Sequence, residues 1–474
     1  MSSPHHIQDA LPVAHAAARA AGLPGQRSPL ARSLTLTAMS LGYVVVQLDV
    51  TIVNVAINII GNSLGGALAD MQWIVNAYTI TFAAFILTAG ALGDRIGAKR
   101  VFILGFAIFV VASLGCALAP NLPVLIAARL SQGIGAAILV PNSLALLNHA
   151  YPNEKERHRA VGIWAAGASF SLTAGPLVGG ALIALVGWRS IFFINLPLGL
   201  AGMWLTWRYA TETTRSANRT LDIPGQILAA LALGSLAGTL IEGGQRGWRD
   251  PLVDGGFAAF VALGVLFVVA ELRSKAPMLP LSLFRSSTFR VTSLAGLLVN
   301  VGGYGLIFIL SLYFQRLNHY SPLATGLAFA PMMAAVLATN LIAARVTAVL
   351  SARLTIAAGL AIMAASCIGL LWIQQGSGYA SLCAQLIALG GGLGLLVPPL
   401  TSTLLGSVTK HRSGIASGVL NAMRQTGSVL GVALFGSLVG GSAGFIPGTH
   451  TALGAAAALT LIAMAAVMIG VRRR

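Results

Sequence analysis

Fourteen apolar segments, each about the length of a helix that crosses a lipid bilayer, divide this sequence of 474 residues. A helix needs about 20 apolar residues to cross the hydrocarbon core. The segments lack the alternation over about ten residues that marks a transmembrane β-strand. Hydrophobic residues make up 56% of the chain and charged residues only 9%, which excludes a soluble globular protein. The predicted fold class is therefore an all-α membrane protein, with segments near 36–60, 72–93, 101–119, 123–148, 159–185, 190–210, 222–243, 255–271, 290–314, 323–345, 354–374, 379–404, 413–436 and 451–471.

The basic residues lie in alternate connections between the segments. With the two chain ends included, 23 of the 29 Lys and Arg residues fall on one side. This distribution follows the positive-inside rule, so the net charge of +17 indicates membrane orientation and no nucleic-acid partner. We expect a multi-pass protein of the cytoplasmic (inner) membrane, surrounded by the lipid bilayer, with both termini in the cytoplasm. Residues 1–33 have no apolar core and are predicted to be a disordered cytoplasmic tail.

An internal repeat relates segments that are eight apart. GIGAAILVP at 133–141 matches GGGLGLLVP at 390–398, and the glycines of segment five match those of segment thirteen. Internal repeats of this kind are common in transporters. The repeat predicts two six-helix bundles, at 34–212 and 276–474, separated by two inserted helices at 213–275.

One acidic residue lies in the middle of an apolar segment. Asp49, within QLDVTIVNV, is the only one of the twelve Asp and Glu residues so placed. Inserting an ionised group at the centre of a membrane helix costs about 2.5–3.5 kcal/mol, which disfavours contact with lipid. Arg129 of segment four is an available partner, and its fixed charge would favour ionised Asp49. Asp49 is thus a candidate proton carrier, although a carboxylate that only holds helices together remains the alternative.

Three motifs resemble those of one transporter family. They are GALGDRIGAKR at 90–100, GASFSLTAGPLVGGAL at 167–182 and LDVTIVNVAI at 48–57. Together with the fourteen segments, they resemble the major facilitator superfamily, in its fourteen-helix drug:proton antiporter branch, often called the EmrB/QacA type. The family usually has proline where this chain has Asn58.

The resemblance assigns roles to two groups of residues. The first group forms a conformational loop after segment two and contains Gly90, Asp94, Arg95, Gly97 and Arg100. The second group forms a helix-packing gate in segment five and contains Gly175, Pro176, Gly179 and Gly180. Simple tight packing is an equal alternative for the gate, because small residues let helices approach closely.

Further polar and aromatic side chains inside the segments are candidates for substrate binding, although most would also suit helix packing. They are Asn54, Tyr78, Gln132, Asn142, Asn300, Tyr304, Tyr313 and Asn340.

The expected function is export of lipophilic small molecules such as drugs, antibiotics or a metabolite, driven by inward proton flow. No GxxxxGK[ST] phosphate loop is present, which disfavours an ATP-driven pump. No catalytic triad or metal cluster is evident, so we expect neither enzyme activity nor a cofactor or metal. An ion-coupled nutrient importer and a non-transporting receptor or channel remain alternatives. Whether a periplasmic adaptor assists the chain is open.

Overall fold

The structure, a computed structural model, describes residues 28–215, 222–274, 277–409, 412–441 and 444–471. Regular structure in these residues is helical throughout. The long helices are α1 (Pro29–Leu64), α2 (Leu68–Ile96), α3 (Ala98–Leu118), α4 (Leu122–Ala150), α5 (Glu154–Val186), α6 (Ser190–Tyr209, broken at Ile194), α7 (Ile223–Arg246), α8 (Pro251–Arg273), α9 (Ser287–Leu312, continued by a π-helical turn, Tyr313–Leu317), α10 (Pro322–Leu350), α11 (Ala352–Gly369), α12 (Tyr379–Leu405), α13 (Ser413–Gly440) and α14 (Phe445–Gly470).

Each predicted apolar segment overlaps one of these helices, so the all-α membrane class is confirmed. Thirteen of the helices are long and apolar enough to cross a membrane. The exception is α13, because Arg424 and Gln425 lie within its length. Helix α1 begins at Pro29, inside the segment predicted to be a disordered tail. The rest of that prediction, residues 1–27, falls outside the described residues.

Side chains that precede the helices fix where they begin. The Asn121 carboxamide accepts the Val124 N–H at 3.0 Å before α4, and the Ser321 hydroxyl accepts the Ala324 N–H at 3.2 Å before α10. Such caps satisfy N–H groups that have no partner within the helix. Gly97 alone separates α2 from α3, with φ of +105°, a conformation that favours glycine.

The same pairs of helices pack together in the two parts of the chain. In the first half, which we define as α1–α6, α1 packs on α5 and α6, and α4 packs on α2 and α3. In the second half, α9–α14, α9 packs on α13 and α14, and α12 packs on α10 and α11. Each pair thus recurs eight helices later.

Glycines of the repeated motif explain this shared packing. A Cβ atom on Gly135 of α4 would lie 2.7 Å from the backbone nitrogen of Phe109 in α3. The matching Gly392 of α12 meets the α11 backbone in the same way, 3.0 Å from the nitrogen of Met363. Both motifs therefore let one helix approach its neighbour more closely than a larger residue would allow.

Hydrogen bonds between helix ends identify the two faces of the bundle. Tyr151, after α4, donates to the carbonyl of Arg32 near the start of α1 at 3.0 Å. Ser287, at the start of α9, donates to the carbonyl of Gly470 at the end of α14 at 3.3 Å. The face where α1 begins and α14 ends is called the terminal face below, and the opposite face the distal face.

Polar bonds join the two halves on the distal side. The buried Gln72 carboxamide of α2 donates to the carbonyls of Val432 and Ala433 in α13, at 3.0 and 2.8 Å. The Ser311 hydroxyl of α9 donates to the carbonyl of Asn54 in α1 at 2.6 Å. Breaking these contacts would leave buried polar groups without partners, so they hold the distal side closed.

The two remaining helices form an antiparallel hairpin, α7–α8. Helix α7 packs on α2 and α13, and its Gln226 carboxamide donates to the carbonyl of Ala84 at 2.6 Å. Helix α8 packs on α7 and is exposed along most of its length, with only Val253 and Glu271 buried. Because α8 is apolar and exposed, its surface is suited to contact with lipid.

Candidate functional site

Asp49 and Arg129 form an ion pair in the interior of the first half. Asp49 lies midway along α1, and Arg129 lies on the distal half of α4. Their side chains are 0% and 1% exposed, respectively, and Arg129 Nη1 donates to Asp49 Oδ2. The structure thus brings together the two residues that the sequence analysis proposed as partners.

Two carboxamides complete the surroundings of Asp49. Gln132 Nε2 donates to Asp49 Oδ1 at 2.9 Å, and Asn195 Nδ2 of α6 donates to the same oxygen at 3.1 Å. Both carboxamides also donate to Ser113 Oγ of α3, whose hydroxyl donates to the carbonyl of Phe192 at 2.9 Å. Helices α1, α4 and α6 therefore meet at one carboxylate, and α3 holds its two carboxamide donors through Ser113. This arrangement matches the rule that buried charges are paired and hydrogen-bonded.

Several further contacts hold the Arg129 guanidinium in place. Its Nε donates to the carbonyl of Ile74 at 3.1 Å, and its Nη1 also donates to Gln132 Oε1 at 2.8 Å. Its Cζ lies 4.4 Å from the centre of the Tyr78 ring, in a cation–π arrangement. Arg129 is thus a fixed positive charge directed at Asp49.

One polar atom beside this cluster has no partner among the described residues, the Oδ1 atom of Asn195. It is a hydrogen-bond acceptor, and the other arm of the same carboxamide bonds to Asp49. Ionised Asp49 can only accept, whereas protonated Asp49 can donate one hydrogen bond. For a protonated Asp49 to donate to this acceptor, the Asn195 carboxamide must turn over so that Oδ1 replaces Nδ2 opposite Asp49.

A cavity of about 300 Å³ lies near the terminal face, away from this cluster. Its walls come from α2, α4, α5 and α13 and from the segments before α7 and α9. Val140 of α4 lines it, whereas Arg129 lies eleven residues earlier on the same helix, roughly 16 Å along its axis at 1.5 Å per residue. Its lining combines apolar side chains with the polar residues Thr88, Asp94, Asn148, Asp222, Ser417 and Asn421.

The structure separates the predicted substrate-binding residues from this cavity. Gln132 and Tyr78 belong to the Asp49 cluster instead. Tyr304 and Asn340 are half-buried and lie outside the cavity lining.

The other four predicted binding residues bond to backbone. Asn54, Asn142 and Asn300 each donate to a carbonyl four residues earlier in their own helices, at 3.0, 2.8 and 2.7 Å. Asn142 also donates to the carbonyl of Ala89 in α2, and the Tyr313 hydroxyl donates to a carbonyl in the connection after α11. These bonds support packing between and within helices, the alternative that the sequence left open.

The predicted conformational loop is held by an acid from outside it. Glu212, in the segment after α6, accepts the N–H groups of Lys99 and Arg100 at 2.8 and 3.3 Å and so caps α3. A Cβ atom on Gly97 would lie 2.5 Å from Glu212 Oε1. Of the other predicted loop residues, Gly90 and Asp94 line the cavity. Arg95 is exposed, and Arg100 pairs with Glu212 at 3.8 Å.

The predicted gate glycines of α5 face two different helices. Gly175 and Gly179 lie against α1, where a Cβ on Gly179 would come within 2.6 Å of Ile52. Gly180 faces α10 in the second half, where a Cβ would lie 2.6 Å from the carbonyl oxygen of Pro322. The backbone of Pro176 closely approaches Gly326 of α10. This glycine-rich segment is therefore a contact between the halves on the distal side.

Three residues of these sites were missed by sequence reasoning. Asn195 could have been found from the sequence, because a polar carboxamide inside an apolar segment is unusual in the same way as the Asp49 carboxylate. Ser113 gave no such signal, since serine is common in membrane helices. Glu212 lies in a connection, where acidic residues are ordinary.

This arrangement, two repeated helical bundles with a buried ion pair and a cavity near one face, defines a multi-pass membrane transporter. The chain belongs to the major facilitator superfamily, whose family profile matches residues 39–432 and 292–474. It is therefore a transporter rather than an enzyme.

Named relatives agree with this assignment. The methylenomycin A resistance protein of Streptomyces coelicolor is 38% identical over 412 residues, which cover 87% of this chain and 86% of that protein. The multidrug resistance protein Stp of Mycobacterium tuberculosis is 36% identical over 406 residues, covering 86% and 75%. A bacterial homologue of the human lysosomal transporter Spinster, solved in an inward-facing and unoccupied conformation, superposes with a TM-score of 0.67 at 18% identity, covering 94% of this chain and 98% of that one.

Proposed function

We propose that this protein is a proton-coupled antiporter that exports lipophilic small molecules, such as antibiotics, across the cytoplasmic membrane. The observation that carries the proposal is the fully buried Asp49–Arg129 pair with its carboxamide donors. Every other acid among the described residues lies near a helix end or in a connection, so Asp49 is the group suited to carry a proton through the bilayer. The names of the two resistance relatives support export.

The terminal face is the cytoplasmic face in this proposal. The supporting argument is the excess of Lys and Arg in the connections on that side. The cavity lies near this face, while polar bonds between the halves close the distal side. The conformation is then one that receives substrate from the cytoplasm, with 34–212 and 276–474 as the moving halves and 213–275 as an insert.

Proton and substrate are coupled through conformation rather than by direct contact. In this state Arg129 compensates the charge of Asp49, and neither group lines the cavity. When the distal side opens, water reaches Asp49 and protonates it. Protonated Asp49 no longer pairs with Arg129 and instead donates to Asn195 Oδ1, which changes the contacts between α1, α4 and α6. Return to the cytoplasm-facing state restores the ion pair and releases the proton inside.

One proton supplies a defined driving force. Moving it inward yields about 2.3 kcal/mol per 100 mV of membrane potential, and about 1.4 kcal/mol per pH unit. At about 1.4 kcal/mol per tenfold concentration ratio, a potential of 100 mV and one pH unit together support a gradient of a few hundredfold for a neutral substrate. A divalent cation would be expelled against the same potential at greater cost, so divalent drugs should be poor substrates.

The test has two stages. A panel of antibiotics and dyes, applied to a pump-deleted bacterial host with and without the chain, identifies a transported compound. The purified chain in liposomes is then given an imposed pH difference and assayed for accumulation of that compound. Asp49→Asn should lose accumulation, and Asp49→Glu should retain part of it. The exposed α8 variant Asp254→Asn should behave as wild type.

Other results would contradict the proposal. If the Asp49→Asn variant still accumulated the compound against a gradient, Asp49 would not be the group that couples proton flow to transport. Greater drug sensitivity of the host that makes the chain would indicate an importer, and conductance without saturable exchange would indicate a channel.

A further inference from the structure

Two carboxyl groups of the α7–α8 hairpin are buried together near the terminal face. Asp222 directly precedes α7, and Glu271 lies in the last turn of α8. Their residues are only 9% and 3% exposed. A Cβ atom built on Gly225 would lie 2.9 Å from Glu271 Oε1 and 3.0 Å from Asp222 Oδ1, so the two carboxyl groups border the same small space.

Each carboxyl group has one oxygen that is bonded and one that is not. Asp222 Oδ1 accepts the Gly225 N–H at 2.9 Å, and Glu271 Oε2 accepts the Leu279 N–H at 3.0 Å. Asp222 Oδ2 and Glu271 Oε1 are buried and have no hydrogen-bond partner among the described residues. A buried polar atom without a partner is costly, and a buried carboxylate oxygen more so.

No ion pair between described residues includes either acid. Arg273, two residues after Glu271, is exposed, and Asp94 of α2 lines the same cavity wall as Asp222. The described residues contain no group of three metal-ligating side chains, so the site offers too few ligands for a divalent metal ion.

We propose that Asp222 and Glu271 form a carboxyl–carboxylate pair that binds one proton. Two buried carboxylates that border the same space repel each other strongly when both are ionised, whereas one shared proton turns one oxygen into a donor to the other. The pair is separate from the Asp49 cluster. Asp222 lines the cavity, which gives the proton access to water at the terminal face. Glu271 bonds to the segment that leads to α9, which ties the occupied pair to the second half.

Infrared difference spectroscopy on the purified full chain tests the proposal at neutral pH, without substrate or gradient. A protonated carboxyl group has a C=O stretching band, shifted in deuterated water, that a carboxylate lacks. We expect Asp222→Asn and Glu271→Gln each to remove the same single band, because one proton serves both groups. Asp254→Asn, an exposed acid on the same helix as Glu271, should keep it. Each amide can still donate to the remaining acid, so the variants should fold, which size-exclusion chromatography checks.

Two outcomes would overturn the proposal. If each variant loses a carboxylate band and neither loses the C=O band of a protonated carboxyl group, both groups are ionised in the wild-type protein. Carboxylate bands that shift in wild type on removal of sodium or calcium, but not in the variants, would show a metal ion. Neither measurement involves transport, so failure of the antiport proposal at Asp49 and failure of this one are distinguishable.

Discussion

Breaking the Asp49–Arg129 pair from both sides should destabilise the protein little more than breaking it from one side. Arg129→Gln leaves a buried carboxylate that still accepts bonds from Gln132 and Asn195. Asp49→Asn leaves a buried guanidinium that still donates to the carbonyl of Ile74. The double variant leaves two neutral carboxamides that can bond to each other. The effects of the two substitutions should therefore not add.

The burial of the pair sets the magnitude. Removing one partner of a buried ion pair costs about 3–5 kcal/mol. Since Gln132 and Asn195 continue to stabilise the carboxylate, we expect each single variant near the lower end, about 3 kcal/mol. The double variant should cost little more than one single variant, so the coupling energy should be about 2–3 kcal/mol, within the range for residues in direct contact.

A double-mutant cycle on the purified protein measures this coupling, with unfolding followed by reversible denaturation in mixed micelles. The matched control is the Arg32–Glu156 pair, which also joins α1 to another helix, at 3.4 Å, but with side chains 26% and 54% exposed. Its coupling should be about 0.5 kcal/mol or less, as for other surface pairs. Additive effects of Arg129→Gln and Asp49→Asn, within the error of the control, would refute a paired buried charge and the coupling mechanism built on it.

Four further predictions concern the gate, the loop and the orientation. Gly180→Ala should slow turnover several-fold without loss of insertion, because the new Cβ would lie 2.6 Å from the α10 backbone. The control Gly234→Ala, whose Cβ has no neighbour within 4 Å, should keep the wild-type rate. Equal transport rates of the two variants in liposomes would refute a gate role for Gly180. Gly97→Ala should slow turnover as well, since its φ of +105° disfavours a side chain and the Glu212 carboxyl occupies that space. Glu212→Gln should cost about 1 kcal/mol of stability, as loss of a helix cap does, and normal thermal unfolding would argue against the cap. A reporter fused to the C-terminus should be reached only from the cytoplasm, and labelling of it in intact cells would reverse the orientation.

The sequence alone determined the class of the protein, the number of its helices and the residue most worth testing. These properties follow from the solvent rather than from particular neighbours. A bilayer requires about 20 apolar residues per crossing, whatever each helix packs against. Asp49 was recognisable for the same reason, because a carboxylate is costly at that depth wherever its partner lies. The Arg129 pairing was also within reach, since few cations lie inside the apolar segments.

Only the tertiary structure decided which side chains meet. Asn195 reaches Asp49 from α6, and Ser113 of α3 bonds to the two carboxamides that surround it. Spacing within one helix cannot reveal such contacts between helices. Asn54, Asn142, Asn300 and Tyr313 among the predicted binding residues bond to backbone, because a polar side chain in a membrane helix must satisfy its hydrogen bonds with whatever neighbour packing provides. The Asp222–Glu271 pair has the same origin. Each acid lies at a helix boundary, where sequence favours a solvated role, and in the structure the packing of α7 on α8 leaves Asp222 only 9% and Glu271 only 3% exposed.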